Sequence, residues 1–173
     1  MLMRNSETSH KLTLCAMLCL LSMVILFFVR HVPLWAELPL IILAGIPLAG
    51  VSAEEDILLC VLAYAITAIF GLGFVASYAH LGPFVLFFGW YPLIKPIFDS
   101  RGDVFFRWVI KMILYTIAMY FMVDGCAGGA LMPYLNSIPW YGLIPLVYVL
   151  FVAYDYLLLL FQYFYLGSIR PRL

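Results

Sequence analysis

Asp155 stands in the middle of VYVLFVAYDYLLLLFQYFYL, a stretch of residues 147–166 with no other charged side chain. A carboxylate at that depth in an apolar helix costs on the order of 3 kcal/mol even on lenient membrane-insertion scales. It must pair with a cation, take up a proton, or face protein and trapped water. Tyr141, Tyr148, Asp155 and Gln162 recur every seven residues, which places them along one face of a helix. Arg107, Lys111 and Tyr115 recur every four residues and form a second polar stripe. Lys111 lies about 10 Å in from the start of its run at 1.5 Å per residue, near the depth of Asp155. A Lys111–Asp155 contact between the two helices is therefore expected. It serves either as a pair that holds helices together or as a ligand or proton site. Exchanging the two charges is then expected to preserve expression and fold, whereas either neutral variant alone would lose stability.

Other polar residues carry weaker chemistry. Lys95 sits between Pro92 and Pro96 in GPFVLFFGWYPLIKPIFDSRGD, residues 82–103. Its four-carbon stem either lifts the ammonium into lipid headgroups or holds a specific partner protein or helix. Glu37 belongs near a run's outer end, as a solvated carboxylate or a ligand contact. The connection DGCAGGALMPYLNSIPWY, residues 124–141, brings five Gly and Pro residues beside Asn136, Trp140 and Tyr141. Its aromatics form an interfacial belt or close over a small molecule. Asn136, Trp140 and Tyr141, with Tyr148 and Asp155 further on, are the ligand-binding candidates. His10, His31 and His80 are far apart, and no metal spacing links them. Phosphate loops, nucleophile elbows and paired-Asp arrangements are missing from the sequence, so neither an enzyme nor a cofactor is expected. Cys15, Cys19, Cys60 and Cys126 follow no paired spacing, which argues against disulfides and metal sites.

The elements that position these residues follow from composition. Of the 173 residues, 66% are hydrophobic and 10% are charged, with a mean hydropathy of +1.10. So few charges cannot cover the surface of a soluble domain of this size. Zero net charge and the lack of Lys/Arg clusters exclude a nucleic-acid partner. The expected fold is all-α, an integral membrane bundle of about six spans of roughly 20 residues each. The apolar runs cover 12–29, 32–52, 57–78, 83–98, 104–123 and 142–166. The first is too long for a cleaved signal and lacks a small-residue cleavage site. The second contains Pro33, Pro39 and Pro47 and must be kinked or broken. Gly71 and Gly73 suit close helix packing. A single domain fills residues 1–173, with short tails at 1–11 and 167–173. Placing both ends in the cytoplasm puts Arg4, Lys11, Lys95, Arg101, Arg107, Lys111, Arg170 and Arg172 on or near that side, leaving Arg30 opposite. The positive-inside rule selects this N-in, C-in arrangement.

This architecture and the stretch KLTLCAMLCLLSMVIL resemble the substrate-binding S components of energy-coupling factor transporters, while FFGWYPLIKPIFDSR is similar to a phrase of an uncharacterised bacterial membrane protein family related to them. The resemblance implies a bacterial plasma-membrane protein that binds a vitamin-like molecule or a metal ion from outside. It also implies docking on a transmembrane coupling subunit shared with cytosolic ATPases. In that family the first helix docks through a small-residue pattern, commonly Ala-x-x-x-Ala. The equivalents here are Cys15 and Cys19, beside Ala16 and Ser22, and Lys95 is a further docking candidate. The rod-shape-determining membrane proteins share the same helical plan, so a non-transport scaffold is the alternative. In that case the polar stripes would join helices or bind partners.

Overall fold

The computed structural model describes residues 2–54, 56–74, 78–100, 103–122 and 140–169, and among these every regular element is helical. Helix α1 spans Leu2–Val29. It begins within the segment expected to be a tail, because residues 2–11 contain neither proline nor glycine. The chain turns at His31, whose N–H reaches the Phe28 carbonyl at 2.9 Å. Helix α2, Leu34–Gly45, and helix α3, Leu48–Ser52, divide the second apolar run. The break falls at Pro47, which lacks the N–H a continuous helix needs. Asp56 then opens helix α4, Ile57–Phe74, its Oδ1 accepting from the N–H groups of Leu58 at 3.0 Å and Leu59 at 3.3 Å. This side-chain cap satisfies donors that the first helical turn leaves open.

The fourth run, with the residues that lead into it, is built from three pieces. Helix α5, Tyr78–Pro83, leads into a π-helical turn at Phe84–Phe88, and helix α6 follows at Tyr91–Asp99. The Gly89 N–H bonds to the Phe84 carbonyl five residues back, at 2.7 Å, the spacing that defines a π-turn. Pro92 removes the donor that would serve the Phe88 carbonyl. Tyr154 Oη supplies one instead, at 3.2 Å. The carbonyls of Val85 and Leu86 accept from Tyr64 Oη at 2.9 Å and Trp90 Nε1 at 2.6 Å. Side chains thus occupy the backbone acceptors of the irregular segment, as an apolar surrounding requires. Helices α7, Val104–Phe121, and α8, Trp140–Phe164, are regular, and α8 ends in a π-turn at Tyr165–Ile169.

Among the described residues, four stretches are long and apolar enough to cross a membrane: Ser9–Val29, Leu81–Asp99, Val104–Phe121 and Ile144–Ser168. Ala36–Ser52 and Ile57–Gly73 are shorter apolar helical stretches. Among the described glycines, Gly45 marks the tightest approach to another element. A Cβ there would collide with the Phe88 carbonyl oxygen and the Tyr154 hydroxyl, so α2 lies directly against the π-turn. Of the predicted packing glycines, Gly71 sits against Leu81 and Leu26 while Gly73 has open space beside it.

A buried carboxylate ties one end of the bundle together. Glu54 is 3% exposed. It accepts from Tyr165 Oη at 2.9 Å and lies 3.9 Å from Lys11 Nζ. Nearby, Gln162 Nε2 donates to Ser52 Oγ at 3.0 Å and to the Ala49 carbonyl at 3.3 Å. The N-terminal part of α1, the end of α3 and the C-terminal turn of α8 therefore meet at the same end.

Candidate functional site

The candidate site is a cluster of buried charges where α6, α7 and α8 converge. Tyr91, Lys95 and Asp99 are spaced four apart on α6 and so share a face. Pro92 at the first turn of α6 is compatible with helical geometry. Lys111 and Tyr115 project from α7, where no proline interrupts the helix. Asp155 projects from α8, ten residues beyond Pro145.

The four charges close a ring in which each contacts two of opposite sign. Lys95 Nζ lies 2.6 Å from Asp99 Oδ2 and 3.5 Å from Asp155 Oδ1. Lys111 Nζ lies 2.6 Å from Asp99 Oδ1 and 3.2 Å from Asp155 Oδ2. Asp155 Oδ1 also accepts from Tyr91 Oη at 2.5 Å. With both lysines and both aspartates ionised, the ring is neutral. The Asp99 side chain keeps 31% exposure while the Lys95 side chain keeps none, so the ring is open on the Asp99 side and closed toward the bundle. Aromatics form the closed side: Phe87 stacks on Tyr91 at 4.6 Å and Phe151 on Tyr115 at 4.4 Å. Excluding water strengthens each attraction, but it makes an unpaired member costly.

The arrangement corrects the reading of Lys95 as a headgroup anchor or surface docking residue. Its ammonium is turned inward because two carboxylates lie within reach, and full burial removes it from any partner-facing surface. Lys111 and Asp155 are in contact, yet they are half of a larger network. Asp99 and Tyr91 were not singled out from sequence. The four-residue spacing with Lys95 was the available signal. Arg107, one turn before Lys111, donates from Nη1 to the Asp99 carbonyl at 2.7 Å and supports the backbone of that carboxylate.

The remaining sequence candidates scatter. Tyr148 pairs its hydroxyl with Thr116 at 2.8 Å. Tyr115 donates to the Val147 carbonyl at 3.1 Å. Tyr141 is 69% exposed and lies about 21 Å along α8 from Asp155 at 1.5 Å per residue. Trp140 begins α8, while Asn136 and most of the 124–141 connection lie outside the described residues. Glu37 is partly buried in the first turn of α2. Cys15 and Cys19 are buried at 5% and 7% exposure and border an apolar furrow of about 270 Å³ between α1 and α4, with Ala16, Leu20, Leu59 and Ala63. Among the described residues, no group of three or more His, Cys, Asp or Glu could hold a metal ion.

The ring can hold three helices in register, and every one of its charges already has partners within it. No protein-family model matches the chain, and neither a curated protein nor a solved structure matches it.

Proposed function

We propose that this chain is a bacterial plasma-membrane protein of six spans with both ends in the cytoplasm. It acts as a non-enzymatic binding subunit of the S-component type. Support for the span count comes from the two shorter apolar stretches, each 17 residues long, which is the lower limit for a spanning helix. The Lys11–Glu54–Tyr165 contact supports placing residues 11 and 165 on the same side. Lys95, Arg107 and Lys111 cluster toward that side, in keeping with a cytoplasmic assignment.

The α1–α4 furrow carries the functional reading. Small side chains at Cys15, Ala16 and Cys19 permit close approach by a second transmembrane helix, and the S-component class docks through this part of its first helix. In this role the chain takes a vitamin-like molecule or metal ion from the outer side, and its coupling partners hydrolyse ATP. The test is purification in mild detergent, mass spectrometry of co-purifying small molecules and thermal unfolding against a panel of vitamins and metal ions. A bound solute, or stabilisation that saturates with one compound, is expected. An empty protein stabilised by none of them contradicts the reading.

The second reading, a membrane scaffold, is favoured by the closed ring. Its charges satisfy one another, so their use is to join helices. Under this reading the furrow would take a partner helix with no solute involved, and capture of partner proteins without any stabilising compound is the expected outcome.

A further inference from the structure

A groove of about 430 Å³ lies between α4 and α6, bounded by Ser52, Asp56, Ile57, Cys60, Val61 and Tyr64 on one side and by Trp90, Leu93, Ile94, Pro96, Ile97 and Ser100 on the other. Its volume falls within the range of sites that hold small molecules. Polarity changes along its length. Ser52, Asp56 and Ser100 stand at helix ends, so they mark the charged end of the bundle. From there the walls are aliphatic for about 10 Å, taking α4 from Ile57 to Tyr64 at 1.5 Å per residue. The two polar side chains deeper in the groove are already engaged: Tyr64 donates to the Val85 carbonyl and Trp90 to the Leu86 carbonyl. The deep part thus offers an apolar surface to any occupant.

The polar mouth is rich in acceptors. Asp56 uses Oδ1 to cap α4, and its Oδ2 makes no hydrogen bond among the described residues. Ser100 Oγ donates to the Ile97 carbonyl at 3.0 Å, and Ser52 Oγ donates to the Ala49 carbonyl while accepting from Gln162. Among the described residues, no lysine, arginine or histidine lines the groove. Lys95 is turned into the ring, and Lys11 approaches Glu54. An occupant that complements this groove carries a cationic hydrogen-bond donor at one end and an alkyl chain behind it.

We propose that the groove binds a phospholipid with a primary ammonium headgroup, the ammonium at Asp56 and one acyl chain along Ile57, Val61, Ile94 and Ile97. The proposal depends on residence in a bilayer and is independent of solute binding or of docking at α1. Cys60 lines the groove, whereas Cys15 and Cys19 are buried, so maleimide labelling of Cys60 in a Cys126→Ser background reports occupancy directly. The protein would be held in nanodiscs of phosphatidylcholine alone or mixed with phosphatidylethanolamine or phosphatidylglycerol of matched chains. Phosphatidylethanolamine is expected to slow labelling several-fold relative to the other two. Asp56→Asn keeps an N-cap residue of equal quality and removes the charge, so it should abolish that difference. Val61→Trp fills the apolar part and should slow labelling in every lipid. Three results overturn the proposal: equal labelling in all three lipids, a phosphatidylethanolamine effect that survives Asp56→Asn, or protection that follows protein density whatever the lipid. The last result would assign the groove to a second copy of the chain.

Discussion

Lys95 and Asp155 are tolerated in apolar sequence because each meets two opposite charges. Asp155→Asn leaves both lysines sharing Asp99 and is expected to cost about 3–5 kcal/mol, the usual penalty for stranding a buried charge. Tyr91→Phe removes a hydrogen bond to a carboxylate and should cost about 2 kcal/mol. In a Cys60→Ser, Cys126→Ser background, thermal unfolding followed with a thiol-reactive dye measures both, since buried Cys15 and Cys19 become reactive only on opening. The Lys111–Asp155 contact was legible in the sequence, where two polar stripes ran at matching depth. The inward turn of Lys95 was not. A lysine three to four residues from a helix end can reach headgroups or an internal carboxylate, and only the position of α8 decides between them. Asp99 was hidden for the same reason, since it looks like part of a polar hinge until Lys111 is brought beside it.

An irregular segment before α6 positions Tyr91, Lys95 and Asp99, and its irregularity is matched by specific donors. Tyr154→Phe would leave the Phe88 carbonyl without its hydroxyl partner, a loss of about 1–3 kcal/mol for a buried acceptor. Gly45→Ala drives a methyl group into backbone that cannot give way and should destabilise by about 1–3 kcal/mol. Gly73→Ala meets no atom within 4 Å and should be neutral or gain up to about 1 kcal/mol from helix propensity. The same unfolding assay separates the two glycines, and equal losses at both would contradict the packing described. Prolines made the break in the second run readable from the sequence. The π-turn was not readable, because its acceptors are served by Tyr64 and Tyr154, which are distant in sequence. The small-residue position in α1 could be anticipated, but the furrow exists only because α4 supplies its other wall.

At the scale of the molecule, the account joins a proposed topology to a lock between three helices. Reporter fusions after residues 31 and 100 and at both ends should place residue 31 outside and the other three positions in the cytoplasm. Ends on opposite sides would contradict the Lys11–Glu54–Tyr165 contact. Composition made the apolar helical class plain, since a tenth of charged residues cannot cover a soluble surface. The convergence of α8 on α6 and α7 had no local signature, because it depends on contacts 44 to 64 residues apart. The lock is tested most directly by exchanging the pair that joins α7 to α8, K111E/D155K, and comparing thermal unfolding with K111M and D155N. A closed ring predicts no rescue: the exchange sets an acid beside Asp99 and an amine beside Lys95, so the double variant should be at least as unstable as the worse single one. Recovery of near wild-type stability in the double variant would show an isolated Lys111–Asp155 pair and contradict the ring.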